Sequence, residues 1–161
     1  MIFVTVGTYE APFDRLLAAI DEIEVGEPLV VQCGHSHVRP RRAEVVDFMP
    51  FEVVEANARR CRTMVAHAGV GSVLVALRAG KRPILIPRMH VYGEAVDDHQ
   101  LTFGRKLAAI GLAVLIEDPV DLAAALRGDP GVSSVVPAIH AGRLQQDLLA
   151  YLAAVTAEDD S

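Results

Sequence analysis

The stretch VAHAGVGSVLVALRAG, residues 65–80, carries the densest chemistry in the chain. A short apolar run ends at His67, turns through Gly69 and Gly71, and passes into a helical pattern at Ser72. The first turn of a helix presents unpaired N–H groups and a partial positive charge, which together attract a phosphate or carboxylate. Glycine lets ligand oxygens reach those groups with no Cβ in the way. Ser72 brings a hydroxyl, either to cap the helix or to bind the same anion, and the His67 ring brings a donor for a phosphate oxygen. The same residues also suit a plain helix cap, close strand–helix packing and a buried, hydrogen-bonded histidine. A G-x-G turn alone fits both.

A second cluster is GEAVDDHQ, residues 93–100. Acidic residues favour a helix start whatever the function, so Asp97 and Asp98 read as caps, Asp98 ahead of Asp97. His99 and Gln100 have less structural reason to be there, and a glutamine can both donate to and accept from a sugar hydroxyl. Arg39, Arg41 and Arg42 share one loop, and Arg88 follows an apolar run. Beside a diphosphate, Arg39 and Arg88 are candidate phosphate or acceptor contacts, with solvated surface as the ordinary alternative. CGHSH, residues 33–37, falls short of a nucleophile elbow, because Val38 stands where the second glycine belongs and RPRR follows instead of a helix. Cys33, His35 and His37 on one side of an extended segment suit a metal, but a polar loop over a cleft is the simpler account. A dinucleotide fingerprint needs a third glycine where Leu74 stands, and there is no Gly-Lys-Ser/Thr phosphate loop. An NADP-type site using Arg88 is an outside alternative.

These residues need a frame. IFVTV (2–6), PLVVQC (28–33), AEVVDF (43–48), TMVAH (63–67), PILIP (83–87) and LAVLI (112–116) read as strands. Stretches from Pro12, Phe51, Ser72 and about Asp98 read as helices, with a short one at Pro119 and a last one from about Pro137 to Val155. Continuously apolar strands alternating with helices are buried on both faces. That predicts a Rossmann-like α/β fold: a doubly wound, mostly parallel sheet of about six strands with helices on both faces. Ligands of such sheets bind at the carboxyl ends of the strands, near the topological switch. Those ends are Gly7-Thr8, Gly34 to His37, His67 to Ser72, and Pro87 onward.

The expected organisation is one domain over residues 1–156 and a disordered tail over 157–161. A net charge of −6 argues against a nucleic-acid binder, which carries a basic surface. Cys33 and Cys61 have no metal-ligand spacing and read as reduced, buried thiols. Apolar residues make up 52% of the chain, yet no run reaches the roughly 18 residues of a membrane span. A strand starting at residue 2 leaves no room for a signal peptide. The apolar surplus suits either a core filled under two helix layers or a buried partner surface.

HAGVGSVLVAL followed by DDHQ resembles the nucleotide-sugar-binding half of MurG-type glycosyltransferases, glycosyltransferase family 28. It looks most like the small single-domain members: the bacterial PssE-type subunits of exopolysaccharide transferases and the cytosolic subunit of the two-part UDP-N-acetylglucosamine transferase. FVTVGT with FDRLLAAID resembles their start, PRMHVYGEAVDDHQ looks PssE-like, and the resemblance runs from residue 1 to about residue 120. It implies one half of a GT-B architecture. The donor diphosphate would lie on Gly7, Thr8, His67, Gly69, Gly71 and Ser72, and the donor sugar on Asp98, His99 and Gln100. A UDP-sugar is then the substrate, with no metal or other cofactor, and a lipid-linked acceptor in polysaccharide or glycolipid synthesis receives the sugar.

No residue reads as a general base, so the resemblance implies a membrane-associated, acceptor-binding partner. The C-terminal helix, with a stripe of Leu144, Leu148, Tyr151, Leu152 and Val155, would pack on its own domain or dock that partner. The chain would be cytoplasmic, recruited to the inner face of the membrane. It departs from the family at Val75, where related UDP-sugar transferases have a ribose-binding glutamate three residues after the Ser/Thr. That departure fits a subfamily difference with ribose recognition moved, weakened nucleotide affinity, or a non-catalytic scaffold subunit that enhances a partner transferase.

Overall fold

The computed structural model describes residues 1–128 together with Gln146, Leu148 and Ala150. Six strands form one sheet: β1 (Ile2–Thr5), β2 (Leu29–Gln32), β3 (Glu44–Val46), β4 (Thr63–His67), β5 (Ile84–Ile86) and β6 (Val114–Leu115). Their order is β3-β2-β1-β4-β5-β6, and every neighbouring pair is parallel. The chain moves outward from β1 to β3, returns to lay β4 beside β1, and then moves outward the other way. The switch therefore lies between β1 and β4, whose carboxyl ends sit in register with Thr5 opposite Ala66.

Helices α1 (Asp14–Glu22), α2 (Phe51–Arg60), α3 (Val70–Arg78), α4 (His99–Ala109) and α5 (Leu122–Arg127) cover both faces. Side chains alternate across a strand, and β1 shows the result. Ile2 and Val4 pack with Leu16, Leu17 and Ile20 of α1 and Leu122 and Leu126 of α5. Phe3 packs on the other side with Ala58 of α2, Val73, Val75, Ala76 and Leu77 of α3, and Phe103 and Leu107 of α4. Each fully buried valine, leucine, isoleucine or phenylalanine among them contributes about 1.5–3 kcal/mol. The apolar surplus in the sequence thus fills two cores.

All six expected strands form, mostly trimmed by a residue or two at their ends. Helix α1 starts at Asp14 instead of Pro12, because the N–H of Phe13 donates to Ser36 Oγ at 2.9 Å and so lies outside the helical ladder. Helix α3 starts at Val70 and not at Ser72. A 3₁₀ turn at His90–Tyr92 occupies a stretch read as loop. The expected final helix, Leu144, Tyr151, Leu152 and Val155 of its stripe, the domain end at 156 and the tail 157–161 lie outside the described residues. Leu148 of that stripe is described, and it is buried in the α2–α3–α4 cluster. No helix among the described residues is long and apolar enough to cross a membrane.

Candidate functional site

Strands β1 and β4 deliver Gly7 and His67-Ala68-Gly69 to the switch. Gly7 is left-handed, with φ +74°, and its N–H donates to Thr5 Oγ1 at 3.1 Å. A Cβ on Gly7 would stand 2.4 Å from His67 Cε1, and one on Gly69 would stand 2.2 Å from Nε2. The imidazole is therefore seated between two backbones that only glycine can provide. Its Nδ1 lies 3.4 Å from Ser72 Oγ. Burial above all, and then the positive charge of Arg88, pushes the pKa down to about 4, against a hydrogen bond to the Thr5 carbonyl that raises it. At neutral pH the ring is uncharged, with one donor and one acceptor nitrogen.

Gly69 is the N-cap of α3, and no side chain caps that end. Gly71 and Ser72 fall inside the first turn, which is why the helix begins earlier than the glycines indicated. Of the two roles open to Ser72, capping is excluded: its hydroxyl faces His67 instead. The first N–H groups of α3, the Ser72 hydroxyl and the His67 ring thus meet at the Gly7 turn, with Thr8 exposed beside it. Such a turn can hold an anion by backbone N–H groups, and the single N–H of the neutral imidazole, which here meets the Thr5 carbonyl, is the one ring donor a ligand could draw on. Val75, 7% exposed, faces the core, and the position offers no acceptor to the cleft.

The β5–α4 loop brings the second cluster to the same edge. Gln100 Oε1 accepts from the N–H of Arg88 at 3.1 Å, which leaves the carboxamide NH₂ to meet a hydroxyl. His99 is exposed, with Nδ1 3.4 Å from Asp97 Oδ2. Asp98 holds the N-cap position of α4, but its carboxylate accepts from the His90 N–H at 2.9 Å. Asp97 accepts from the His99 N–H at 3.0 Å, so Asp98 stands at the cap position expected of it while the side-chain acceptor there comes from Asp97.

Arg15, missed in the sequence, and Glu94, which lies within GEAVDDHQ without a role expected of it, hold this loop. Arg15 of α1 bonds Glu94 through Nε and Nη2 at 2.9 and 2.8 Å, and donates to the Pro87 carbonyl at 2.9 Å. Glu94 in turn accepts from the Met89 N–H at 3.1 Å.

The loop arginines are engaged. Arg39 pairs with Asp47, Arg41 with Asp21 and Arg42 with Glu24. Arg88, expected as a phosphate or acceptor contact, is 1% exposed, and its terminal nitrogens donate to backbone carbonyls. An NADP-type site on Arg88 fails for the same reason. Ser36 is buried and accepts from the Phe13 N–H, so it is no exposed nucleophile. Cys33 is buried while His35 and His37 are exposed, and His37 Nδ1 lies 2.9 Å from Asp14 Oδ2. Burial pushes the Cys33 thiol pKa up, away from the thiolate a metal would need.

The family model described as the glycosyltransferase family 28 C-terminal domain matches residues 1–128. The UDP-N-acetylglucosamine--N-acetylmuramyl-(pentapeptide) pyrophosphoryl-undecaprenol N-acetylglucosamine transferase of Rhodospirillum centenum is 39% identical over 76 residues, or 47% of this chain and 19% of that protein. The UDP-N-acetylglucosamine transferase subunit ALG13 of Yarrowia lipolytica is 32% identical over 79 residues, or 46% of this chain and 38% of that one. The chain thus spans well under half the length of these relatives. The crystal structure of CalG4, the calicheamicin glycosyltransferase, superposes with a TM-score of 0.61 at 16% identity, over 96% of this chain and 43% of its own. That likeness is one of fold.

Proposed function

The chain belongs to the glycosyltransferase family 28 C-terminal domains, and from that premise we propose that it is the UDP-sugar-binding subunit of a two-chain glycosyltransferase. The observation that carries this reading is the seat of His67 between Gly7 and Gly69, beside the uncapped first turn of α3 at the sheet switch. The donor diphosphate lies across Gly7-Thr8 and the turn of Gly69, Gly71 and Ser72, and the one N–H of the His67 ring passes from the Thr5 carbonyl to a phosphate oxygen. The carboxamide of Gln100, with His99 and Asp98, meets the sugar hydroxyls. In transfer the bond from the anomeric carbon to the β-phosphate oxygen breaks and an acceptor oxygen takes its place. The N–H groups and dipole of α3 stabilise the departing UDP. The acceptor hydroxyl loses its proton to a base in the partner chain.

The names of the relatives support the finer points. One names a UDP-sugar and a pyrophosphoryl-undecaprenol acceptor, and the other is named a subunit. On this reading the acceptor is lipid-linked and serves polysaccharide or glycolipid synthesis. The partner is membrane-associated, and it recruits this cytoplasmic chain to the inner face of the membrane. Calorimetric titration with UDP and a panel of UDP-sugars tests it. Weak binding by the chain, abolished by His67→Ala and Gln100→Ala, is expected, with transfer only when the partner is added. Substantial transfer by the chain alone would overturn the two-chain arrangement. Val75 favours a second reading, a non-catalytic scaffold subunit that enhances the partner. Absence of nucleotide binding with and without partner would select it.

A further inference from the structure

Arg88 follows β5 and heads the large, fully buried side chains of the described residues. Its guanidinium is enclosed by one short stretch of chain. Nη2 donates to the Val6 carbonyl at 2.9 Å, and Nη1 to the carbonyls of Ala11 and Pro12 at 2.8 and 3.4 Å. Its Cζ lies 5.6 Å from the ring centre of Tyr9 and 4.7 Å from that of Phe13. All of these partners fall within residues 6–13, on both sides of Gly7-Thr8, so the turn is folded around the cation. Across the cleft, Nη1 also donates to the Glu94 carbonyl at 3.4 Å, and the Arg88 N–H donates to Gln100 Oε1.

A buried cation is costly unless a carboxylate meets it. Among the described residues Arg88 forms no ion pair, because the Glu94 carboxylate bonds Arg15 and the Met89 N–H instead. Packing alone would be served as well by an apolar side chain of similar volume. On the reading of this cleft as a donor diphosphate site, we propose that Arg88 is its positioning residue. It fixes the Gly7-Thr8 turn and Gln100 relative to each other and charges the turn from beneath without touching the ligand. The charge already reaches His67, where it adds to burial in keeping the ring neutral. The other groups at that ring are the Thr5 carbonyl and the Ser72 hydroxyl.

UDP and uridine titrated into wild type, Arg88→Lys and Arg88→Gln, with His67 followed by NMR, test the role. Lysine keeps the charge but loses the planar fork. Arg88→Lys is expected to weaken UDP about tenfold and uridine less than twofold, with the His67 titration unmoved. Arg88→Gln is expected to weaken UDP further and to let His67 protonate about one pH unit higher. UDP affinity within twofold of wild type in both variants overturns the proposal, and so does equal loss of UDP and uridine. If Arg88→Gln does not fold, the UDP-to-uridine ratio of Arg88→Lys decides. A wild-type chain that binds neither nucleotide sinks the donor-site reading, whereas normal wild-type binding with unaltered variants sinks only the role of Arg88.

Discussion

A methyl group on Gly69 would have to displace an imidazole 2.2 Å away, and one on Gly7 would meet the same ring at 2.4 Å from a left-handed backbone. Gly69→Ala is therefore expected to cost roughly 1–3 kcal/mol in urea unfolding, as an overpacked site does, and to weaken UDP binding. Gly7→Ala is expected to cost about 1 kcal/mol more, because it adds backbone strain to the clash. A Gly7→Ala chain as stable as wild type would show that the ring moves freely.

His67 also sets a pH dependence. Its pKa is about 4 in the fold and near 6.5 unfolded, so between those values the unfolded chain binds the extra proton. Stability present above about pH 6.5 is then lost as pH falls to about 4, by up to about 3 kcal/mol and less for the part of the ring that solvent reaches. Asp14, held low by backbone N–H groups and His37 against its own desolvation, loses its contribution only at lower pH. Urea titrations at stepped pH should show the upper segment in wild type, and His67→Gln should be flat from about pH 6.5 to 5, with Glu27 and Glu117, both held low, contributing only below that.

At the scale of elements, the β5–α4 loop is held by α1. Besides the Glu94 pair, Arg15 lies 4.6 Å from the Tyr92 ring centre, so one α1 side chain pins the 3₁₀ turn and the loop entering α4. Glu94→Ala removes the carboxylate that Arg15 and the Met89 N–H share, leaving Arg15 only backbone carbonyls. About 3 kcal/mol of lost stability is expected in thermal melts, and a smaller loss for Glu94→Gln, which keeps an acceptor oxygen. A shift under 1 kcal/mol for Glu94→Ala would contradict the anchoring role.

The sequence made the strands legible, because a parallel sheet covered on both faces demands uninterrupted apolar runs such as TMVAH and PILIP. It also placed the glycine turn and GEAVDDHQ on one edge, since the carboxyl ends of parallel strands share it. The Arg15–Glu94 bond joins residues 79 positions apart and leaves no local pattern to read. The burial of Arg88 is not legible, because charged residues at strand ends are usually exposed and nothing in PRMH announces carbonyls arriving from residues 6, 11 and 12. Gly71 looked like part of the turn because the sequence does not distinguish a glycine that breaks a helix from one tolerated in its first turn.

Among the described residues, six of the nine large apolar side chains left in solvent follow strands whose carboxyl ends form the edge that holds the site, while Val53 lies within α2, Ile110 ends α4 and Val120 follows β6. Tyr9, Phe48, Phe51, Val91, Tyr92 and Val96 are all exposed, and they follow β1, β3 and β5. On the two-chain reading this rim faces the acceptor-binding partner. Phe51→Asp and Val96→Asp should leave the unfolding free energy within about 0.5 kcal/mol of wild type and weaken co-purification with the partner. Unchanged complex formation in the double variant would remove the rim from the interface.

The strand order has a consequence for how the molecule assembles itself. β1 precedes the other five strands in the chain yet lies at the centre, with Ile2 opposite Leu29 on one side and Thr63 on the other. The half built from β1 to β3 can close on its own crossover, but Gly7 and Gly69 stand on opposite banks of a seam that closes only when β4 docks. The pocket therefore exists only once β4 has paired with β1. A nucleotide bridging that seam would clasp the two halves together and stabilise the folded chain in step with its binding.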